Sequence, residues 1–333
     1  MHEDILNLII CPECGGSHLV LRPYSSQDGD IIDGAILCSS CDSWFRIEGG
    51  ILDLLPKRLW DVSRYIQFAE RYNLPATMHP QRPTDNNTVR QMRFFSDHSN
   101  EYEKDVVQSP YYQALNHTTL MKWLDRSRLH SGDWVLELGC GTGSQSILIA
   151  QRNVRYLGLD IAEPMVLKAR EKVLDLKIGQ KADFIIGDAG NPPFKEEVFS
   201  ACVICGSLIH FSRPDQVVMK VARILRKGGL FFSVDPQESP LRFLFNILMK
   251  IRTLYHKEEG EVPLMSRSLL GDWLYKAGIQ GSMRVSTYLP PHLLNLMIIE
   301  RAEKVLEATD AFFGSLPGIW SWGGMIITEG RKN

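Results

Sequence analysis

The stretch Val135 to Gly143, reading Val-Leu-Glu-Leu-Gly-Cys-Gly-Thr-Gly, constrains this chain more than any other. Asp133 to Leu138 alternates and then fills with apolar side chains, the pattern of a strand buried in a parallel sheet. Gly139, Gly141 and Gly143 follow at once and let backbone approach a ligand closely before a helix starts near Ser144. About 20 residues further on, Tyr156-Leu-Gly-Leu-Asp160 is a second apolar strand ending in a carboxylate, where this architecture sets the acid that accepts ribose hydroxyls. The pattern points to a nucleotide-type ligand. The alternative is a tight strand-to-helix turn with no ligand.

Spacing separates two kinds of ligand. The dinucleotide fingerprint G-x-G-x-x-G brings a helix N-terminus to a pyrophosphate, whereas here the third glycine comes one residue early and Glu137 stands at the strand end. A carboxylate there repels pyrophosphate but suits the ammonium of a methionine moiety, held directly or through water. On these residues, Glu137-Leu-Gly-Cys-Gly-Thr-Gly143 resembles the first motif of class I S-adenosylmethionine-dependent methyltransferases. The resemblance implies an α/β fold, a Rossmann-like doubly wound seven-stranded sheet. It also implies cofactor contacts from Glu137, Gly139, Gly141, Asp160, Ile161, Asp188, Ala189 and Cys205.

At 333 residues, 44% hydrophobic and 23% charged, the chain has an ordinary globular composition and room for two domains. The acidic opening Met1-His2-Glu3-Asp4 gives no sign of a secretory signal, and no apolar run reaches the ~18 residues of a membrane span, so the expectation is a cytoplasmic protein. A net charge of -2 provides no overall attraction to nucleic acid or acidic lipid. Seven cysteines in that setting suggest thiols and metal rather than disulfides.

Cys11-Pro-Glu-Cys14 and Cys38-Ser-Ser-Cys41 are two Cys-x-x-Cys knuckles separated by a hairpin expected around Ser25 to Gly34. Two knuckles close a tetrahedron of sulfurs around one structural zinc ion and leave no position open for chemistry. The alternatives are a redox pair or two disulfides. With Ile47 to Leu55 after the second knuckle, residues 1–57 resemble the small zinc-ribbon proteins that activate tRNA and translation-factor methyltransferases. Their nine carboxylates against three cations (Arg22, Arg46, Lys57) would repel phosphate, which favours a protein partner or scaffolding role over RNA contact.

From Arg58 to about 115 the pattern is mixed: Pro75, Pro80 and Pro83 divide a helical piece, a polar loop at Asp85-Asn86-Asn87 and a second helical piece. Phe94-Phe95-Ser-Asp-His-Ser-Asn-Glu-Tyr102 resembles the aromatic lid that precedes the core in many small-molecule methyltransferases, which makes Tyr102 a ligand contact. The alternative is plain docking to the core.

The core, 116–333, then alternates strand and helix. Asp188, after Phe184-Ile-Ile-Gly, resembles the carboxylate that accepts the adenine amine in the family. Phe199 to Cys205 is the next strand, Val217 to Leu225 a helix, and Arg226-Lys-Gly-Gly229 the turn into a strand from Leu230 to Val234. Asn191-Pro-Pro-Phe194 has the letters of an amide- or adenine-methylating motif but lies after the wrong strand. His210, at the end of the correct one, is the candidate substrate-facing base, with ordinary packing as its alternative. Cys140, Cys202 and Cys205 read as small buried hydrophobes rather than reactive thiols.

Between about 237 and 280 a helical cap is expected, with Leu241 to Leu254 apolar over a wide face and Leu293 to Phe313 a further helix whose Leu293, Leu294, Leu296, Met297, Ile298 and Ile299 pack together. Such a cap predicts an apolar cavity beside His210 with Phe245 in its wall, hence a small, apolar or lipid-like acceptor as in the quinone and sterol methyltransferases, with peripheral membrane contact as an option. The alternatives are base methylation of ribosomal or transfer RNA and a non-catalytic cofactor-binding scaffold acting through the ribbon.

Overall fold

The computed structural model describes residues 1–75, 86–178, 182–251 and 264–333. Strands β1 (Leu19–Gln27), β2 (Asp30–Cys38), β3 (Trp44–Glu48) and β4 (Ile51–Asp53) come from the ribbon. The core supplies β5 (Trp134–Leu138), β6 (Arg155–Asp160), β7 (Ala182–Ile186), β8 (Phe199–Cys205), β9 (Leu225–Pro236), β10 (Ile279–Ser286) and β11 (Met325–Lys332). All eleven form one sheet in the order β1-β2-β3-β4-β7-β6-β5-β8-β9-β11-β10. The seven core strands have the expected arrangement. β7 to β9 run parallel, and β11 enters antiparallel between β9 and β10.

The ribbon extends this sheet. Its hairpin turns at Asp28-Gly29, both with positive φ, as a two-residue hairpin connection requires. β4 then pairs parallel to β7, with Leu52 opposite Ile185 and Asp53 opposite Ile186. Ile5, Ile9, Phe45, Ile47 and Leu54 bury into the same core as Leu159, Ile185 and Phe194. Arg46, only 3% exposed, ties the two parts together through Asp53 (3.0 Å), Glu48 (2.5 Å) and Glu163 (3.2 Å).

The strand order reverses between β5 and β8, and a sheet of this kind opens its ligand crevice at such a switch point, beyond the strand carboxyl ends. Helix Ser144–Ala150 follows β5 and helix Glu163–Asp175 follows β6. Helix Pro214–Ile224 follows β8. Helix Asn86–Asp97 and the turn Ser99–Tyr102 form a lid. Lys168 donates to Asn100 Oδ1 (2.6 Å), Lys172 to Glu103 (2.5 Å), and Asn87 to Ser212 Oγ (3.2 Å), so the lid is fastened at both ends of the crevice.

Two expectations about the cap need correction. The run 293–313 is not one helix. Pro291–Leu294 is a single turn and Ile299–Gly314 a separate helix, because the backbone becomes extended at Ile298; Asn295, still helical in its backbone, accepts from the Tyr111 N–H (2.9 Å). Leu294 is buried, but Leu296 is 83% and Ile298 70% exposed, so the six apolar residues do not pack together. Among its described side chains, helix Pro240–Ile251 leaves Phe243 70%, Leu244 48% and Ile247 41% exposed. The side chain of Phe245 and the stretch from 252 to 263, including Leu254, lie outside the described residues. Helix Arg267–Lys276 instead packs onto the core through Leu270 and Leu274.

Candidate active site

The glycine loop is folded against the end of β6. The Gly139 and Cys140 N–H groups donate to Leu159 O at 2.8 and 3.1 Å, and the Gly141 N–H donates to Asp160 Oδ2 at 2.8 Å. Gly139 has φ +74°, and a Cβ there would lie 2.5 Å from the Ser207 Cβ, so no other residue lets the loop pass so close to the end of β8. Asp160 Oδ1 accepts from the Ala162 N–H at 3.0 Å. Burial pushes its carboxyl up, while the N–H groups of Ala162 and Gly141 favour its ionised form.

These ends open into one cavity of about 300 Å³, at the lower end of the range for small-molecule sites. Gly139, Gly141, Asp160, Ile161, Asp188, Ala189, Cys205 and Tyr102 all line it, as does His210. Eight of the nine positions expected to hold the cofactor thus meet in one place. Glu137 is the ninth and does not line the cavity. It is wholly buried, with Oε2 accepting from the hydroxyls of Tyr156 (2.5 Å) and Ser146 (3.2 Å), and Oε1 has no partner. Burial pushes its carboxyl up to about 8.

Asp188 Oδ1 accepts from the Gly190 N–H (2.8 Å) and Oδ2 from Arg58 (3.1 Å). Tyr102 lies over the glycine loop, and a Cβ on Gly141 would meet its Cε1 at 3.9 Å. Phe95 stands edge-on to both Tyr102 and His210, with ring centres 5.9 and 5.1 Å apart. His210 is neutral: burial pushes its imidazole down to about 4, and Nδ1 has no partner. The turn that carries it is held by Leu208 N–H donating to Asp235 Oδ1 (3.2 Å) and Ser207 Oγ donating to Leu138 O (2.8 Å).

The cavity wall contains residues that the sequence did not single out, among them Arg58, Gln91, Ser207, Phe211 and Lys220. Phe95 stood in the quoted lid segment, one helical spacing of seven from Tyr102, and that period was the available signal. Arg58 gave none. The expected cap wall is absent from this cavity: among the described residues, none from helix Pro240–Ile251 or from 291–299 lines it.

In the ribbon, the sulfurs of Cys11, Cys14, Cys38 and Cys41 lie within 4.8 Å of one another, with Cys11 and Cys41 3.7 Å and Cys14 and Cys38 3.6 Å apart. A tetrahedron with Zn–S bonds of ~2.3 Å has edges of about 3.8 Å, so these four thiols have the dimensions of a metal site.

A glycine loop against β6, carboxylates at the end of β6 and past β7, and a cavity at the switch point give a Rossmann-like arrangement. Residues 135–229 match the family model described as a methyltransferase domain. The demethylmenaquinone methyltransferase of Symbiobacterium thermophilum is 24% identical over 59% of this chain and 78% of its own length. The fatty-acid O-methyltransferase of Mycolicibacterium smegmatis is 28% identical over 44% of this chain, which spans 60% of that relative. The solved structure of the Haemonchus contortus phosphoethanolamine N-methyltransferase 2, bound to phosphomonomethylethanolamine and S-adenosylhomocysteine, superposes with a TM-score of 0.51. It covers 76% of this chain and 61% of its own at 15% identity, a likeness of fold. The chain carries a methyltransferase domain of the S-adenosylmethionine-dependent kind. Among the described residues, no helix is long and apolar enough to cross a membrane.

Proposed function

We propose that this protein transfers a methyl group from S-adenosylmethionine to a small, lipid-like acceptor with a polar end. The observation that carries this reading is the composition of one wall. Phe95, Tyr102, His210 and Phe211 line the cavity, with Phe95 edge-on to both Tyr102 and His210, and Gln91, Ser207 and Ser212 add polar groups to the lining. The quinone and fatty-acid substrates in the names of the two relatives support the same class of acceptor.

Asp160 would accept the ribose hydroxyls and Asp188 the adenine amine. The backbone at Gly139 and Gly141 would lie against the methionine portion, and Ile161, Ala189, Cys205 and Tyr102 would close round the ligand. Glu137, behind the loop, would support the strand end that carries it through Tyr156 and Ser146 rather than meet the ammonium. Bound S-adenosylmethionine supplies an already activated methyl group, so the protein's part is alignment in a dry site, worth several kcal/mol of the barrier. Phe95 and Tyr102 of the lid would lie against the bound ligands. His210 lines the cavity, and its low proton affinity suits it to packing against and orienting the acceptor more than to removing a proton.

We infer in addition that Cys11, Cys14, Cys38 and Cys41 hold one structural zinc ion. To test the acceptor class, the protein is incubated with methyl-labelled S-adenosylmethionine and separate lipid, small polar and RNA fractions. Label is expected in the lipid fraction. Label confined to RNA or to polar metabolites would overturn the acceptor assignment.

A further inference from the structure

We propose that Arg58, on the segment leaving the ribbon, is a positioning residue that fixes Asp188 for recognition of the adenine ring. The inference rests on the reading above, in which Asp188 accepts the adenine amine, and adds a residue of which the family pattern gave no sign. Its basis is a register. β4 runs parallel to β7 with Asp53 opposite Ile186, and the pairing continues as the Leu54 N–H donates to Ile186 O at 2.8 Å. Asp188 lies two residues past the end of β7, so the chain leaving β4 passes beside it.

The turn that presents Arg58 is tightly determined. The Leu55 N–H donates to Asp53 Oδ1 (3.0 Å), Trp60 Nε1 to Leu55 O (2.7 Å), and the Leu59 N–H to Pro56 O (2.8 Å). The Lys57 N–H donates to Oε1 of Glu13 (2.6 Å), which sits between Cys11 and Cys14 in the first knuckle. The ribbon therefore holds the turn directly. From it the Arg58 guanidinium reaches Asp188 Oδ2 at 3.1 Å and lines the same cavity as that carboxylate.

With Arg58 on one oxygen and the Gly190 N–H on the other, the Asp188 carboxylate has a single orientation. Each carboxylate oxygen accepts more than one hydrogen bond, so both partners leave acceptor capacity for an exocyclic amine. A carboxylate fixed before the ligand arrives loses less freedom on binding, and that saving applies only to a ligand bearing the amine. Arg58 thus contributes to selectivity for adenine over a base with oxygen at the same position.

Calorimetric affinities for S-adenosylhomocysteine and S-inosylhomocysteine, in which oxygen replaces the amine, test this on the full chain. The unaltered protein is expected to prefer the adenosyl compound by about tenfold or more, the effect of one charge-assisted hydrogen bond. Asp188→Ala should bring the ratio close to one. Arg58→Met should lower it about threefold or more with little change in affinity for the inosyl compound, which also reports that the variant is folded. The double variant should match Asp188→Ala alone. If Asp188→Ala abolishes the preference while Arg58→Met leaves it intact, or weakens both ligands equally, Arg58 does not act through Asp188. If Asp188→Ala itself leaves the preference unchanged, the adenine reading fails and takes this inference with it.

Discussion

The hydroxyl of Tyr156 donates a 2.5 Å hydrogen bond to Oε2 of Glu137, and both side chains are wholly buried. This pair explains how a carboxylate at the end of β5 is kept in the interior. Two hydroxyls support it while burial holds its proton affinity high, up to about 8.

The consequence is a pH dependence of stability. An unfolded glutamate titrates near 4.3, so between that value and about 8 the folded chain keeps a proton that the unfolded chain has released. The contribution of Glu137 is present in full below the unfolded value and is lost as pH rises through the folded one. Thermal unfolding from pH 5 to pH 8 should show a steeper fall in Tm for the unaltered protein than for Glu137→Gln, which has no proton to release. Equal slopes would contradict the assignment.

Arg46 is buried against Asp53, and removing it leaves a buried carboxylate without its counter-charge. Arg46→Met is expected to lower stability in urea unfolding by about 3–5 kcal/mol. Arg46→Met combined with Asp53→Leu should regain much of that loss, because no lone buried charge remains. A single variant as stable as the parent would show that the network does not bind ribbon to core.

Cys14 stands in the first knuckle beside Glu13, so loss of metal should also loosen the turn at Lys57. Elemental analysis is expected to give one zinc ion per chain for the unaltered protein and none for Cys14→Ser, with protease cutting within residues 1–57 of the variant. Full metal content in that variant would reject the four-thiolate site.

His210 is already neutral well below physiological pH, since burial pushes it down to about 4. Methyl transfer followed as kcat/KM from pH 5.5 to 8 should therefore show no step near 6.5, the ordinary histidine value. A step that disappears in His210→Asn would make this side chain a titrating base after all.

Local features of this fold were legible in the sequence. β8 has the expected bounds of Phe199 and Cys205, and the glycine loop and Asp160 occupy neighbouring strand ends, because each depends on a short run of residues. Pairings between distant segments were not. β4 against β7, Arg58 on Asp188 and Tyr156 on Glu137 arise only when the sheet assembles, and none leaves a periodic trace. The apolar run around Leu296 misled for the opposite reason. Its composition suggested packing, but the backbone becomes extended at Ile298 and divides the run into two helices, with Leu296 left at the surface.

The central claim is that the cavity above the glycine loop binds S-adenosylmethionine, with Asp160 on the ribose. Asp160 has two oxygens for two hydroxyls, each charge-assisted bond is worth about 1.5–3 kcal/mol, and the same carboxylate holds the Gly141 N–H. Titration calorimetry with S-adenosylmethionine should show binding at one site per chain, weakened at least tenfold in a folded Asp160→Ala variant. No binding to the unaltered protein, or the same affinity in the variant, would contradict the account.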